Sequence, residues 1–317
     1  MVYIFYLLVS AGVVWLSIKA SEYIDLIDKK TKLSGAFLGG VLLSAVTSLP
    51  ELFTSISATV LLRKPGLCIG NILGSNLFNM LILAVMFVVC IRNSARAPLS
   101  KGHRYVLIYL AVTYLTMALN MVYPHIFDFN LLSVSLTSLV IVVCYLLGVR
   151  HLAGEGGAEE NRNEDLSPLT VRAIVWRFIA ASVGIVGLSI LMTYLTDEIS
   201  VRLNIGAGLA GAIFLGVATS LPELSSTVAL FRIRNYDIAV GNIVGSCLFN
   251  MIILSVADIL WRGGTVYDFS DPKVVNLLLY GGVAMGLTYI AVSTRSRWGK
   301  VITGLGIIAC YAAFLLV

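Results

Sequence analysis

Two carboxylates stand where a membrane protein can least easily hold them. Glu51 closes the stretch Thr47-Ser48-Leu49-Pro50-Glu51, and Glu223 closes its repeat, Thr219-Ser220-Leu221-Pro222-Glu223. Each stretch lies inside an apolar run long enough to span a bilayer. An ionised carboxylate at the bilayer midplane costs at least about 2.5–3.5 kcal/mol on insertion scales. It must therefore be protonated, paired with a base, or bound to a cation. No Lys or Arg stands at matching depth in either half. Pro50 and Pro222 add a second cost: each deprives the carbonyl four residues earlier, on Val46 or Ala218, of its helical partner and opens that turn. Lipid offers such carbonyls no replacement. One proline of this kind reads as a kink. Two in matched positions, each beside a Glu, read as carbonyl oxygens presented next to a carboxylate. Carboxylates, hydroxyls and carbonyls form an all-oxygen ligand set, suited to calcium, sodium or magnesium rather than zinc or copper.

A second pair of stretches accompanies the first. Residues 70–83 (GNILGSNLFNMLIL) and 241–254 (GNIVGSCLFNMIIL) are identical at 11 of 14 positions, and residues 39–52 and 211–224 at 8 of 14. Ser75 and Asn79 are four apart and share one helix face, as do Ser246 and Asn250. These four side chains suit interhelical hydrogen bonding and ion ligation equally. Gly70, Gly74, Gly241 and Gly245 would let neighbouring helices approach closely. Phe78 and Phe249 read as packing residues. The two copies are offset by 171–172 residues, which implies a repeat of five helices. Five is odd, so the second copy must cross the membrane in the opposite sense. Such an inverted repeat is the architecture of transporters that alternate access around a midplane site.

The elements that must carry these stretches are membrane helices. Of the 317 residues 58% are hydrophobic and 12% charged, with mean hydropathy +0.93; soluble domains carry about 25% charged residues. Ten apolar runs of spanning length fall at about 2–20, 34–62, 67–91, 103–122, 127–149, 170–196, 205–231, 236–260, 273–294 and 299–317. The expected fold is an all-α membrane protein of ten transmembrane helices, as two inverted-topology five-helix repeats over 1–149 and 170–317. The repeat motifs occupy about 35–83 and 207–254, and a cytoplasmic linker covers 150–169. The runs are continuous rather than alternating, which argues against a β-barrel.

Distributed to alternate sides of ten helices, 17 of the 22 Lys and Arg fall on one side; Arg63, Lys64, Arg202, Arg262 and Lys273 fall on the other. The positive-inside rule then places both termini outside the cell, in the extracellular or periplasmic space of a multi-pass cell (inner) membrane protein. This placement accounts for the net charge of +5 without nucleic acid. Glu155, Glu159, Glu160, Glu164 and Asp165 lack calcium-loop spacing and read as a solvated linker. The five cysteines show neither metal-ligand spacing nor a pairing pattern. Residues 2–20 have no basic segment before them and read as a retained first helix rather than a cleaved signal.

The paired stretches resemble the two alpha-repeats of the calcium/cation antiporter superfamily, most closely its sodium/calcium exchanger branch. The family pattern, roughly G-T-S-x-P-E followed by G-N-x-x-G-S-N-x-F-N, appears as VTSLPE with GNILGSNLFN and as ATSLPE with GNIVGSCLFN. The resemblance implies a secondary transporter, not an enzyme, that exchanges three sodium ions for one calcium ion. Calcium, sodium and the lipid bilayer are its partners, no cofactor is needed, and a monomer is the expected state.

Carried over by position, Glu51 and Glu223 would bind calcium with the carbonyls of Thr47 and Thr219, and the same carboxylates would serve sodium. Ser48 with Ser75 would complete one outlying sodium site and Ser220 with Ser246 the other. The carbonyls of Ser44 and Gly216 would cap these sites, and Asn79 and Asn250 would line the centre. Helices 1 and 6 would be gating helices sliding past an eight-helix core.

The chain departs from the pattern at Val46 and Ala218, where the family usually has Gly, and at Cys247, where it has Asn. It has Asn250 where some exchangers, including potassium-dependent ones, carry Asp. It also lacks the Glu that proton/calcium exchangers carry near the Gly-Asn pair, and the long cytoplasmic regulatory domain of animal exchangers, as in a minimal prokaryotic-type transporter. Proton/calcium exchange, or exchange of another divalent ion, is the alternative. A channel and a two-carboxylate enzyme are the rivals from other classes.

Overall fold

The computed structural model describes residues 1–31, 44–94, 97, 99–127, 134–154 and 169–316. The expected linker acids and Gly35, Gly39 and Gly40 lie outside these. The described elements are α1 (Val2–Thr31), α2 (Ser44–Thr47), α3 (Leu49–Leu61), α4 (Pro65–Val89), α5 (Lys101–Val122), α6 (Leu136–Gly154), α7 (Val171–Leu203), α8 (Ala207–Thr219), α9 (Leu221–Arg232), α10 (Tyr236–Leu260), α11 (Pro272–Ser293) and α12 (Arg297–Leu316). Single turns at Ile91–Ser94 and Pro124–Phe127 join them.

Among the described residues seven helices are long and apolar enough to cross a membrane, or eight if α8 and α9, bent by 42°, form one span. Two shorter apolar helices, Leu49–Leu61 and Leu136–Leu152, border the undescribed residues 32–43 and 128–133 in the expected second and fifth spans. α4 and α10 are each 25 residues long, and α5 and α11 each 22, so the helix lengths repeat in order.

Local chemistry sets the ends. Proline occupies the first turn of α3, α4, α9 and α11, a position its fixed φ suits. Side-chain caps start α5 (Ser100), α7 (Thr170), α10 (Asn235) and α11 (Asp271). Arg63 and Arg234, at matched positions of the two repeats, both turn the chain in the left-handed region, φ 55° and 63°.

Two boundaries differ from the sequence reading. The helix that carries the apolar run 2–20 continues through the charged residues to Thr31, making α1 30 residues long. No Gly or Pro interrupts residues 21–31, and Lys19 pairs with Glu22 at 2.7 Å on the helix surface. α7 likewise runs 33 residues, past Asp197 and Glu198, and ends only where Asn204 adopts φ 53°.

The main hydrophobic cluster draws on α4, α5, α6, α8, α10, α11 and α12. α1 and α7 pack chiefly on each other, through two smaller clusters: Val2, Tyr6, Val9 and Val13 with Met192 and Ile199, and Ala20 with Ala181 and Ile185. Their close approach uses glycine on both sides, Gly12 beneath Leu188 and Gly184 beneath Leu16. Tyr6 ties α1 to α8 by donating to the Phe214 carbonyl at 2.5 Å. Lys64 pairs with Asp197 of α7.

At the far end of α10, buried Asp258 accepts from the Ser135 and Val266 N–H groups (3.2 and 3.3 Å) and the Ser138 hydroxyl (2.8 Å), clamping α6 to the 261–271 loop. Asp258→Ala leaves these buried donors unpartnered. We expect it to destabilise the protein by about 2–4 kcal/mol. Thermal unfolding in detergent measures this; an unchanged melting temperature would remove Asp258 from the clamp.

Candidate cation site

The site forms where two broken helices meet. The breaks fall at Ser48 (φ −90°, ψ 11°) and Ser220 (φ −88°, ψ 4°), two residues before each proline. This sparsely populated conformation turns α3 away from α2 and α9 away from α8. The first turns of α3 and α9 therefore begin inside the protein and carry Glu51 and Glu223, both fully buried.

The two halves interlock. Ser48 donates to Glu223 Oε1 at 3.1 Å, and Ser220 donates to Glu51 Oε1 at 3.2 Å, so each broken helix supplies the hydroxyl for the other repeat's carboxylate. Ser75 Oγ donates to the Gly216 carbonyl at 3.2 Å and lies 3.5 Å from Thr219 Oγ1. Ser246 Oγ lies 3.5 Å from Thr47 Oγ1. The expected sodium sites pair Ser48 with Ser75 and Ser220 with Ser246; the contacts of Ser75 and Ser246 run instead to Gly216 and Thr219, and to Thr47. α4 packs against the broken helix α8–α9, so Ser75 joins Gly216, Thr219, Ser220 and Glu51. Ser246 joins Thr47, Ser48 and Glu223 in the same way.

The Ser44 carbonyl, an expected cap, already accepts from the Ser48 N–H at 3.1 Å and the Thr47 hydroxyl at 3.2 Å. With two donors on it, a cation could use it only by displacing one. Phe78 and Phe249 pack as expected, against Tyr311 at 5.9 Å and Tyr145 at 6.3 Å between ring centroids.

Asn71 and Asn242, present in both Gly-Asn pairs, received no role from the sequence. Asn71 Nδ2 donates to Thr54 Oγ1 and Ser55 Oγ, both at 2.9 Å. Asn242 Nδ2 donates to Ser226 Oγ at 2.9 Å, and Ser226 in turn donates to the Glu223 carbonyl at 3.1 Å. Each asparagine thus straps the carboxylate-bearing helix to its neighbour. Their recurrence at the same place in both motifs was the available signal.

The electrostatics are uncompensated. No ion pair among the described residues reaches Glu51 or Glu223. Glu51 Oε2, Glu223 Oε2, Asn250 Oδ1 and both amide atoms of Asn79 are buried without a hydrogen-bond partner. No group of three or more His, Cys, Asp or Glu among the described residues forms a metal site. The donor set is two carboxylates with neutral oxygens around them, which fits a hard cation and not a soft one.

The sequence profile of the sodium/calcium exchanger protein family matches residues 1–152 and 173–317. The chain belongs to that family. It is thereby a multi-pass membrane transporter of the calcium/cation antiporter superfamily, in its sodium/calcium exchanger branch. This exchanger-family chain is 26% identical to the sodium/calcium exchanger MaX1 of Methanosarcina acetivorans, over 100% of this chain and 99% of that protein. It is 25% identical to the inner membrane protein YrbG of Escherichia coli, over 79% of this chain and 77% of YrbG. Its fold is similar to that of the sodium-calcium exchanger NCX_Mj, with TM-score 0.63, 20% identity and 99% of both chains covered. It is also similar to that of the H+/Ca2+ exchanger CAX, with TM-score 0.73, 14% identity, and 99% of this chain and 86% of that one covered.

Proposed function

We propose that this chain is an electrogenic sodium/calcium antiporter that uses the sodium gradient to extrude calcium by alternating access, exchanging three sodium ions for one calcium ion. The observation that carries this reading is the pair of fully buried carboxylates, each with one hydroxyl donor, one unpartnered oxygen and no cationic side chain. Two negative charges in a low-dielectric interior call for cationic charge of their own magnitude. One calcium ion neutralises them, bound by Glu51, Glu223 and the carbonyls of Thr47 and Thr219, with Asn79 and Asn250 alongside. Three sodium ions leave the site at +1. One outlying sodium ion sits with Glu51, Ser75, Gly216, Thr219 and Ser220, and another with Glu223, Ser246, Ser44, Thr47 and Ser48.

Ten spans in two inverted repeats, 1–149 and 170–317 with the linker 150–169 inside the cell, make this arrangement pseudo-symmetric and place both termini outside. The recurring helix lengths and the crossed serine–carboxylate bonds support it. The separate packing of α1 and α7 supports their role as gating helices that slide past the rest.

Net movement of one positive charge couples transport to voltage, about 2.3 kcal/mol per 100 mV. In proteoliposomes loaded with sodium, calcium-45 uptake should require the outward sodium gradient. It should also accelerate under an inside-positive potassium–valinomycin potential, because three sodium ions leave for each calcium ion that enters. Uptake indifferent to that potential would defeat the electrogenic scheme. Uptake driven by a proton gradient in sodium-free buffer would assign the exchange to protons, which the same two carboxylates can carry.

A further inference from the structure

Within residues 75–79 and 246–250 the two repeats differ only at Asn76 and Cys247, and the difference reaches the two central asparagines. The carbonyl of Cys247 can only accept, so the Asn76 side chain must present its Nδ2 to it, at 3.3 Å. Asn76 Oδ1 is then left to accept from Asn250 Nδ2, at 3.0 Å. This relay settles which way the Asn250 amide faces. Its nitrogen is tied and its oxygen, Oδ1, is buried without a partner.

The opposite repeat has Cys247 at the position equivalent to Asn76. Its thiol returns the contact by donating to the Asn76 carbonyl at 3.9 Å, so its one proton is used. The sulfur lies within reach of the Asn79 amide but is a weak acceptor. Both amide atoms of Asn79 are accordingly unpartnered, although the side chain is fully buried.

We propose that Asn76 and Cys247 are positioning residues that make the two central amides unequal, with Asn250 a preset oxygen ligand for the bound cation and Asn79 a rotatable one. The inference rests on the cation site proposed above. An amide held oxygen-inward needs no reorientation when an ion arrives, whereas a free amide must be ordered at each binding event. The relay therefore favours binding through the second repeat's asparagine. Removing it costs the net worth of one hydrogen bond, about 3–10-fold in affinity.

The test measures calcium-45 binding to the detergent-purified full chain. Glu51→Gln is run alongside: if it binds calcium as the wild type does, the site itself is wrong. With that control passed, Asn76→Cys is expected to weaken calcium binding about 3–10-fold, because it releases Asn250. Cys247→Asn is expected to strengthen binding by a similar factor, because it builds the missing relay to Asn79. The double variant Asn76→Cys/Cys247→Asn transfers the relay to the other repeat and should return affinity to near the wild-type value, a rescue that mere loss of packing at residue 76 would not show. Unchanged binding in Asn76→Cys, or a double variant no better than Asn76→Cys, overturns the proposal. Should Asn76→Cys fail to fold, Cys247→Asn alone decides: tighter binding supports the relay, and equal or weaker binding overturns it.

Discussion

Glu51→Gln is expected to lower sodium-dependent calcium uptake about 1,000-fold, and Glu223→Gln to do the same. Glutamine keeps the shape of the side chain and can still accept from Ser220 or Ser48, so the loss isolates charge. Unit charges about 4 Å apart are worth about 4 kcal/mol at an effective dielectric of 20, so even half of the charge product between a divalent ion and a carboxylate corresponds to about three decades in binding. A divalent ion facing one carboxylate would leave a buried net charge of +1, the converse of the imbalance in the ion-free site. The crossed bonds from Ser48 to Glu223 and from Ser220 to Glu51 differ by only 0.1 Å, so neither carboxylate is privileged. Thermal unfolding supplies a second reading. Calcium at 100 times its dissociation constant should stabilise the wild type by about 2.7 kcal/mol and either variant not at all. A Gln variant that transports at the wild-type rate would remove that carboxylate from the site.

Gly74→Val is expected to destabilise the protein by at least about 3 kcal/mol, and Gly70→Ala by a comparable amount. At these positions α4 and α8 touch backbone to backbone. A Cβ on Gly70 would lie 2.1 Å from the Gly208 carbonyl oxygen, and one on Gly74 2.5 Å from the Ala212 Cα. The partner helix is equally bare: a Cβ on Gly211 would meet the Leu67 oxygen at 2.4 Å, and one on Gly216 the Ser75 nitrogen at 2.8 Å. Backbone cannot rotate aside, so the helices must separate, and separation withdraws Ser75 from the Gly216 carbonyl and from Thr219. Fold and site should therefore fail together, as a lower melting temperature and lost calcium binding. Gly241 is the internal control. A Cβ there meets only the far end of the His103 ring, at 3.0 Å, which can shift. Gly241→Ala should cost less than about 1 kcal/mol, well below Gly74→Val. Equal melting temperatures for the two variants would refute the tight α4–α8 seam.

Much of the site was legible in the chain because polar groups in lipid are expensive. Glu51, Pro50, Asn79 and their counterparts stand out in apolar runs, and the repetition of both motifs marks them as a pair. α1 and α7 are only half legible in the sequence: hydropathy marks where an apolar run stops, not where the helix ends, so it does not give the extensions to Thr31 and Leu203. Lys300 is one of the 17 Lys and Arg that the charge count puts on the inner side, yet it is buried, 4.6 Å above the Phe87 ring centroid and donating to the Ser94 carbonyl at 3.1 Å. Its burial comes from packing between elements remote in sequence.

By itself, then, the sequence determined the family, the helical class, and the buried carboxylates, hydroxyls and amides that cluster together, because each stands out as a polar group with a desolvation cost inside an apolar run. The tertiary structure decided which of these meet. Periodicity places a residue on a face of its own helix but is silent about what that face opposes. Only the interlocked halves bring Ser48 to Glu223, Ser220 to Glu51 and Ser75 to Gly216, and leave Asn79 unpartnered where Asn250 is held.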